Sequence, residues 1–213
     1  MRLPRLPGWL LWDHNAHYHG WLLRRLPLGC RRALDAGCGA GAFARLLAAR
    51  VGAVDAVDRS EAMIVRARAA PGGSTVRWLR GDLLDASLPM SPDGYDLVTA
   101  LSSLHHVPLR PALTRLAGLV RPGCVLAVVG CYRPAAVSDY LLAALAVPAN
   151  VAVGTMLAAR GRAGGPHDAD MPVMWPPDTT FADIRQAAAD LLPGARIRRL
   201  LFFRYGLEWT RPT

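Results

Sequence analysis

One run constrains this chain more than any other: Ala33-Leu34-Asp35-Ala36-Gly37-Cys38-Gly39-Ala40-Gly41-Ala42-Phe43-Ala44-Arg45-Leu46-Leu47. Arg31 to Ala36 has the short apolar character of a buried strand, and Phe43, Leu46 and Leu47 recur at helical spacing. Three alternate glycines therefore fall at a strand-to-helix turn, where the missing Cβ lets backbone approach a ligand closely.

The spacing of those glycines discriminates between ligands. A dinucleotide fingerprint reads G-x-G-x-x-G, with the helix N-terminus facing a pyrophosphate. Here the pattern is Asp-x-Gly-x-Gly-x-Gly, and an acidic side chain at the strand end repels a pyrophosphate but suits a ligand that presents an ammonium group. At these residues the chain resembles the S-adenosylmethionine (SAM)-dependent methyltransferases of the Rossmann-like class, whose first motif reads Asp/Glu-x-Gly-x-Gly-x-Gly. The resemblance implies that the loop wraps the methionine half of SAM, with Asp35, Gly37, Cys38, Gly39 and Gly41 in the cofactor site.

At 213 residues the chain is long enough for one complete α/β domain, and one domain is expected. A hydrophobic fraction of 52% excludes a disordered chain, and the 17 Pro and 20 Gly are scattered without a repeat. A formal charge of +9 ordinarily points to nucleic acid or an anionic surface. The basic residues are all arginine, however, in a chain rich in Ala, Gly and Pro, as GC-rich coding sequence produces, so nucleic acid is not the expected partner. The four cysteines show no C-x-x-C or metal-ligand spacing and read as reduced, small, mostly buried residues. Prolines interrupt the N-terminal apolar residues and Trp9 to Trp12 is too short for a signal h-region, so a cytoplasmic, bacterial-type protein is expected.

Before the glycine turn, residues 13–27 read as a helix capped near Asp13 or Asn15 and stopped by Pro27. His14, His17 and His19 invite a metal reading. On a helix positions 14 and 17 share a face but 17 and 19 do not, and no carboxylate or cysteine completes a site, so no metal is assigned. A helix end packed by aromatic and histidine rings and a lid over a ligand remain open. Small methyltransferases of the ubiquinone/menaquinone-biosynthesis type carry an aromatic N-terminal helix that folds over SAM, which implies a lid helix over 13–27 with Tyr18 in the cofactor site.

Val54 to Asp58 reads as a second short strand, followed by a helix over about 60–70. Asp58 lies about twenty residues beyond the first glycine, where a carboxylate accepts from ribose hydroxyls. The resemblance adds Arg59 beside it and Met63 against the adenine face. A third strand over about 75–79 leads into Gly81-Asp82-Leu83, which matches the family position where an Asp accepts from the adenine amine and the next backbone N–H pairs with the ring. The fourth strand, Tyr95 to Leu101, continues to His105 and His106. By resemblance Ala100 and Leu101 line the methyl-donor pocket. A histidine with a pKa near neutrality is a candidate general base, so His17, His19, His105 and His106 are the candidates for catalysis; loop bracing is the alternative for the last two.

A helix over about 110–120, a turn at Arg121-Pro122-Gly123 and a fifth strand over 124–130 follow. Residues 132–177 form an insert. From Tyr140 to Ala159 there is no charged residue, the length of a membrane span, but Pro148, Asn150 and Gly154 interrupt it and a span there would divide the sheet. It is read as a helical lid closed by a loop over 160–177, or as a homodimer contact. Phe181, Ile184, Ala188 and Leu191 face one side of a final helix, and 195–203 with 205–209 are expected as closing strands. Arginines 196, 198, 199 and 204 on this pair suit a solvent-facing edge.

The expectation is an α/β fold: a Rossmann-like, doubly wound, seven-stranded sheet, mostly parallel with the last strand antiparallel and helices on both faces. The function implied is SAM-dependent methyl transfer to a small-molecule acceptor, apolar or aromatic, of secondary or quinone-type metabolism, releasing S-adenosyl-L-homocysteine (SAH). The alternatives are an RNA or protein methyltransferase and a non-catalytic SAM-binding partner.

Overall fold

Leu34, Val57, Leu97, Val98, Leu126 and Val128 are all buried to within 1% of completely. Strands with such near-continuous apolar runs need cover on both faces, and that is how the sheet is built. The computed structural model describes residues 13–160 and 177–213. Its elements are α1 (His14–Leu23), β1 (Arg32–Ala36), α2 (Ala42–Ala48), β2 (Ala53–Asp58), α3 (Glu61–Ala69), β3 (Val76–Arg80), β4 (Tyr95–Leu101), a single 3₁₀ turn (Leu104–His106), α4 (Leu109–Leu119), β5 (Val120–Cys131), α5 (Val137–Ala159), α6 (Phe181–Leu191), β6 (Arg196–Leu200) and β7 (Arg204–Thr210).

The seven strands lie in the order β3-β2-β1-β4-β5-β7-β6. Pairings among β1 to β5 are parallel, and β7 runs antiparallel to both β5 and β6. The chain moves outward from β1 to β3 and then crosses to β4 on the other side of β1. That reversal opens a crevice at the carboxyl ends of β1 and β4, where open α/β sheets place ligands. Alternate residues serve opposite faces. Leu34, Val98, Leu126 and Val128 join a core with α4 and α6, while Ala33, Leu97, Ala127 and Val129 join one with α1 and α2.

Helix boundaries follow local chemistry. Asp13 caps α1 by accepting from the Asn15 and Ala16 amides, and Ser60 caps α3 through the Met63 amide. Thr180 and Asp183 close a capping box on α6. The helix α1 ends at Leu23, one turn short of Pro27.

Two segments depart from the sequence reading. Arg121-Pro122-Gly123 is not a turn before the strand but an irregularity within β5: the ladder steps from Tyr95–Val120 to Leu97–Val125, with Gly123 at φ +74°. The strand expected over 195–203 stops at Leu200, and a tight turn at residues 201–203 leads into β7. Phe202 and Phe203 adopt φ of +59° and +57° there, a conformation usually taken by Asn or Gly. Phe202 packs edge-on to the His14 and His17 rings at centroid separations of 5.1 and 5.7 Å.

The apolar segment of the insert is the helix α5, with Pro148 inside it. Asp139 fixes its start, accepting from the Ala135 and Ala136 amides and from Arg199 Nε at 2.6 Å. His14 and Asn150 share a 3.0 Å hydrogen bond between α1 and α5. Val137, Tyr140, Leu141, Val151 and Met156 are exposed on α5. Among the described residues, no helix is long and apolar enough to cross a membrane. Of the loop expected over 160–177, residues 161–176 lie outside the described residues.

Candidate active site

The glycine turn between β1 and α2 is stitched to the end of β2. The Gly37 and Cys38 amides both donate to the Val57 carbonyl, at 2.8 and 2.9 Å. The three glycines serve different ends. A Cβ on Gly37 would overlap the Ser103 side chain, whose hydroxyl donates to the Ala36 carbonyl, and a Cβ on Gly41 would enter the Trp78 ring. A Cβ on Gly39 would meet nothing and would project into open space. Gly37 and Gly41 are thus close-packing positions, and Gly39 leaves room.

Asp58 closes the turn from the side. Its Oδ2 accepts from the Gly39 amide and its Oδ1 from the Ser60 amide, each at 2.8 Å. Asp35 is 1% exposed, and its Oδ1 accepts from Thr99 Oγ1 at 3.2 Å. Its Oδ2 is buried with no partner among the described residues. Burial pushes the Asp35 pKa up to about 7; the Thr99 hydrogen bond opposes this and the nearby Asp58 charge adds to it.

These groups open on one cleft at the carboxyl edge of the sheet. Of the residues singled out from sequence, Asp35, Gly37, Cys38, Gly39, Asp58, Arg59, Met63, Gly81, Asp82, Leu83 and Leu101 line it, with His19 and His106. Tyr18, Gly41, Ala100, His17 and His105 do not. Tyr18 is buried and donates to the Leu201 carbonyl at 2.7 Å, and Ala100 lies in the core. His17 stands edge-on to Tyr18, and His105 lies against His106 with ring centroids 4.0 Å apart and the planes tilted by 40°. Asp82 Oδ1 accepts from the Leu84 amide, and a Cβ on the preceding Gly81 would strike Leu88.

Burial disfavours the charged form of each of these imidazoles. Burial lowers His19, with Asp13 opposing, and lowers His106, with Arg59 adding and Asp58 opposing. His105 falls to about 4 through burial, aided by the charges of His106 and Arg204, and His17 falls by burial and Arg204. The cleft also takes in residues to which the sequence assigned no ligand role: Asn15, Phe43, Ser102, Ser103, Leu104 and Val107. Ser102 and Ser103 extend the β4 end past the expected Leu101, and that continuity was their only signal.

A methyltransferase-domain family model matches residues 33–123. An uncharacterized methyltransferase of Mycobacterium tuberculosis is 37% identical over 202 residues, covering 94% of this chain and 98% of its own. The chain belongs to the class I, SAM-dependent methyltransferases. A 2-phytyl-1,4-naphtoquinone methyltransferase of Synechococcus elongatus is 38% identical to this methyltransferase over 111 residues, 48% of this chain and 47% of the relative's, so the likeness spans about half of that enzyme. In fold, this methyltransferase is similar to an N-methyltransferase from Bradyrhizobium japonicum, with a TM-score of 0.59, 17% identity and coverage of 95% and 100% of the two chains.

The residues of the methyltransferase cleft fit the cofactor. A buried carboxyl oxygen without a partner suits the SAM ammonium, and the open side of Gly39 lets a ligand lie against the turn. No pyrophosphate could share that position with Asp35 without unfavourable charge.

Proposed function

We propose that this methyltransferase acts on a small acceptor carrying an ionisable O–H on an apolar or aromatic frame, of the quinol type. The observation that supports it best is that carboxylates and imidazoles share one cleft with the apolar side chains Phe43, Met63, Leu83, Leu101, Leu104 and Val107. The half-length likeness to the naphtoquinone enzyme agrees with the apolar, aromatic frame of this acceptor.

When bound, SAM would supply a sulfonium methyl group for in-line transfer to the acceptor oxygen, with its sulfur as the leaving group, giving SAH. The chain's own part is to hold and align. Asp35 would hold the ammonium, Asp58 the ribose hydroxyls, and Asp82 with the Leu83 amide the adenine edge, with Met63 beside them in the same cleft. Alignment and exclusion of water supply much of the acceleration of such a displacement. His106 Nδ1 is buried and has no partner among the described residues, and it is the atom that takes the acceptor proton. His19 is the second candidate, and α5, tied to α1 by the His14–Asn150 hydrogen bond, would be the cover over a bound acceptor.

The test is incubation with methyl-labelled SAM and a 1,4-naphthoquinol, a simple catechol, bulk RNA or an extract of total protein. Label in a solvent-extractable quinol or catechol ether supports the proposal. Label confined to RNA or protein overturns it.

A further inference from the structure

Asn15 enters the cleft from the first turn of α1, and its amide is oriented by its surroundings. Its Oδ1 accepts from Ser102 Oγ and from Arg204 Nη2, both at 2.8 Å. A hydroxyl could pair with either end of an amide, but a guanidinium has no acceptor, so the atom facing Arg204 is the oxygen. The amide nitrogen therefore points away from this clasp. Among the described residues it has no partner, and Asn15 lines the same cleft as Asp35.

The clasp is built with some strain. Ser102 adopts φ +52°, a left-handed conformation that non-glycine residues rarely take, and it directs the hydroxyl to Asn15. Arg204 has no carboxylate partner among the described residues. Its Nη1 donates to Cys131 Sγ at 3.0 Å, its guanidinium stands 5.8 Å from the Tyr18 ring centroid, and its Nε is buried without a partner. A positive charge behind a donor favours an anion in front of it. Asp13, the N-cap of α1, is the nearby acidic group, and its carboxylate is taken by the Asn15 and Ala16 amides.

We infer that the Asn15 side-chain amide, oriented by Arg204 and Ser102, donates to the α-carboxylate of the cofactor's amino-acid end. The inference rests on the reading that Asp35 receives the adjacent ammonium, since the two groups of an α-amino acid share one carbon. Asn15 and Asp35 then hold the zwitterion from two sides of the cleft. Arg204 is a positioning residue, and Asn15 a binding residue.

The discriminating variant is Asn15→Asp. It keeps the oxygen that Arg204 and Ser102 hold, adds an ion pair with Arg204, and replaces the donor by an acceptor. Calorimetry with SAH and with 5′-methylthioadenosine, which lacks the amino acid, reads the result. Expected are an unfolding temperature at or above that of the unmodified chain, SAH binding weaker by about tenfold or more, and methylthioadenosine binding within about twofold. Asn15→Ala, which loses clasp and donor together, weakens SAH similarly at a lower unfolding temperature. Arg204→Met frees the amide to turn and gives a smaller SAH loss than Asn15→Asp. Unchanged SAH binding in Asn15→Asp, or equal losses for both ligands, overturns the inference. Should Asn15→Asp not fold, the Arg204→Met and Asn15→Ala comparison of the two ligands decides in the same way. Asp35→Asn reports separately: full SAH affinity there refutes the ammonium reading and leaves the Asn15 result to stand on its own.

Discussion

The Gly39 amide donates to Asp58 Oδ2 at 2.8 Å, and the same carboxylate caps the chain at Ser60, so one side chain joins the glycine turn, the end of β2 and the start of α3. Any role of Asp58 toward a ligand is coupled to this bracing.

The two roles separate by substitution. Asp58→Ala removes the acceptor for both amides and, on the proposed reading, for the ribose hydroxyls, so SAH affinity should fall by about 1.5–3 kcal/mol with a loss of thermal stability. Asp58→Asn keeps a carbonyl for one amide, so it retains most of the stability but not the affinity. Calorimetry and thermal unfolding of both variants check this; an Asp58→Ala protein that binds SAH normally would show the carboxylate to be a brace only.

Asp35 should give the cofactor affinity a pH dependence if it receives the ammonium as proposed. Burial raises its pKa from an ordinary 3.8 to about 7, so the free protein holds the proton below about pH 7. In that window ionisation costs the unliganded fold stability as pH rises, while the ionised form is the one that attracts an ammonium. Affinity for SAH therefore rises from about pH 6 toward neutrality, with proton release on binding. Titrations in buffers of different ionisation enthalpy measure the proton, and Asp35→Asn abolishes both the release and the slope.

The glycines predict opposite losses. Gly39→Ala adds a methyl to open space at φ +52°, costing about 1–2 kcal/mol of stability but obstructing the cofactor. Gly41→Ala must displace Trp78 and bears the same backbone penalty, so it is the less stable of the two and binds more nearly normally once folded. Unfolding temperature and SAH affinity, measured on both, should rank the two variants in opposite orders.

Far from the cleft, Tyr95 donates to Asp55 at 2.6 Å and accepts from the Ser91 amide, while Arg77 grips Asp55 through two nitrogens at 2.8 and 2.7 Å. Asp55 is 2% exposed. Tyr95→Phe leaves a buried amide without its acceptor and should cost about 1–3 kcal/mol in denaturant unfolding, with SAH affinity unchanged.

The parts of the fold legible in the sequence were those written locally. Strands β1, β2 and β4 are short apolar runs buried on both faces, and the residues at their ends, with Asp82 after β3, meet because a parallel sheet collects its carboxyl ends. The Phe202-Phe203 turn was illegible because it uses no Gly, Asn or Pro; neighbouring rings compensate a backbone that local chemistry disfavours. The clasp on Asn15 joins it to Ser102, 87 residues away, and to Arg204, 189 residues away. No spacing rule spans such distances, and alternate arginines on an edge strand gave no reason to set Arg204 apart.

Helix α1 rests on the last strand of the chain. Arg25 pairs with Glu208 at 2.9 Å and lies 3.3 Å over the Trp21 ring, and Gly206 has no side chain because Trp21 occupies its place. With Tyr18 on Leu201 and Asn15 on Arg204, the first helix described has its seat in residues made some 190 positions later. On the ribosome the glycine turn and its carboxylates can assemble while that seat is still unsynthesised. The ties that fix α1 are complete only when β7 is in register, so a chain halted before β6 can pack α1 on α2 and β5 but lacks the Leu201, Arg204 and Glu208 partners that hold this wall of the cleft in place.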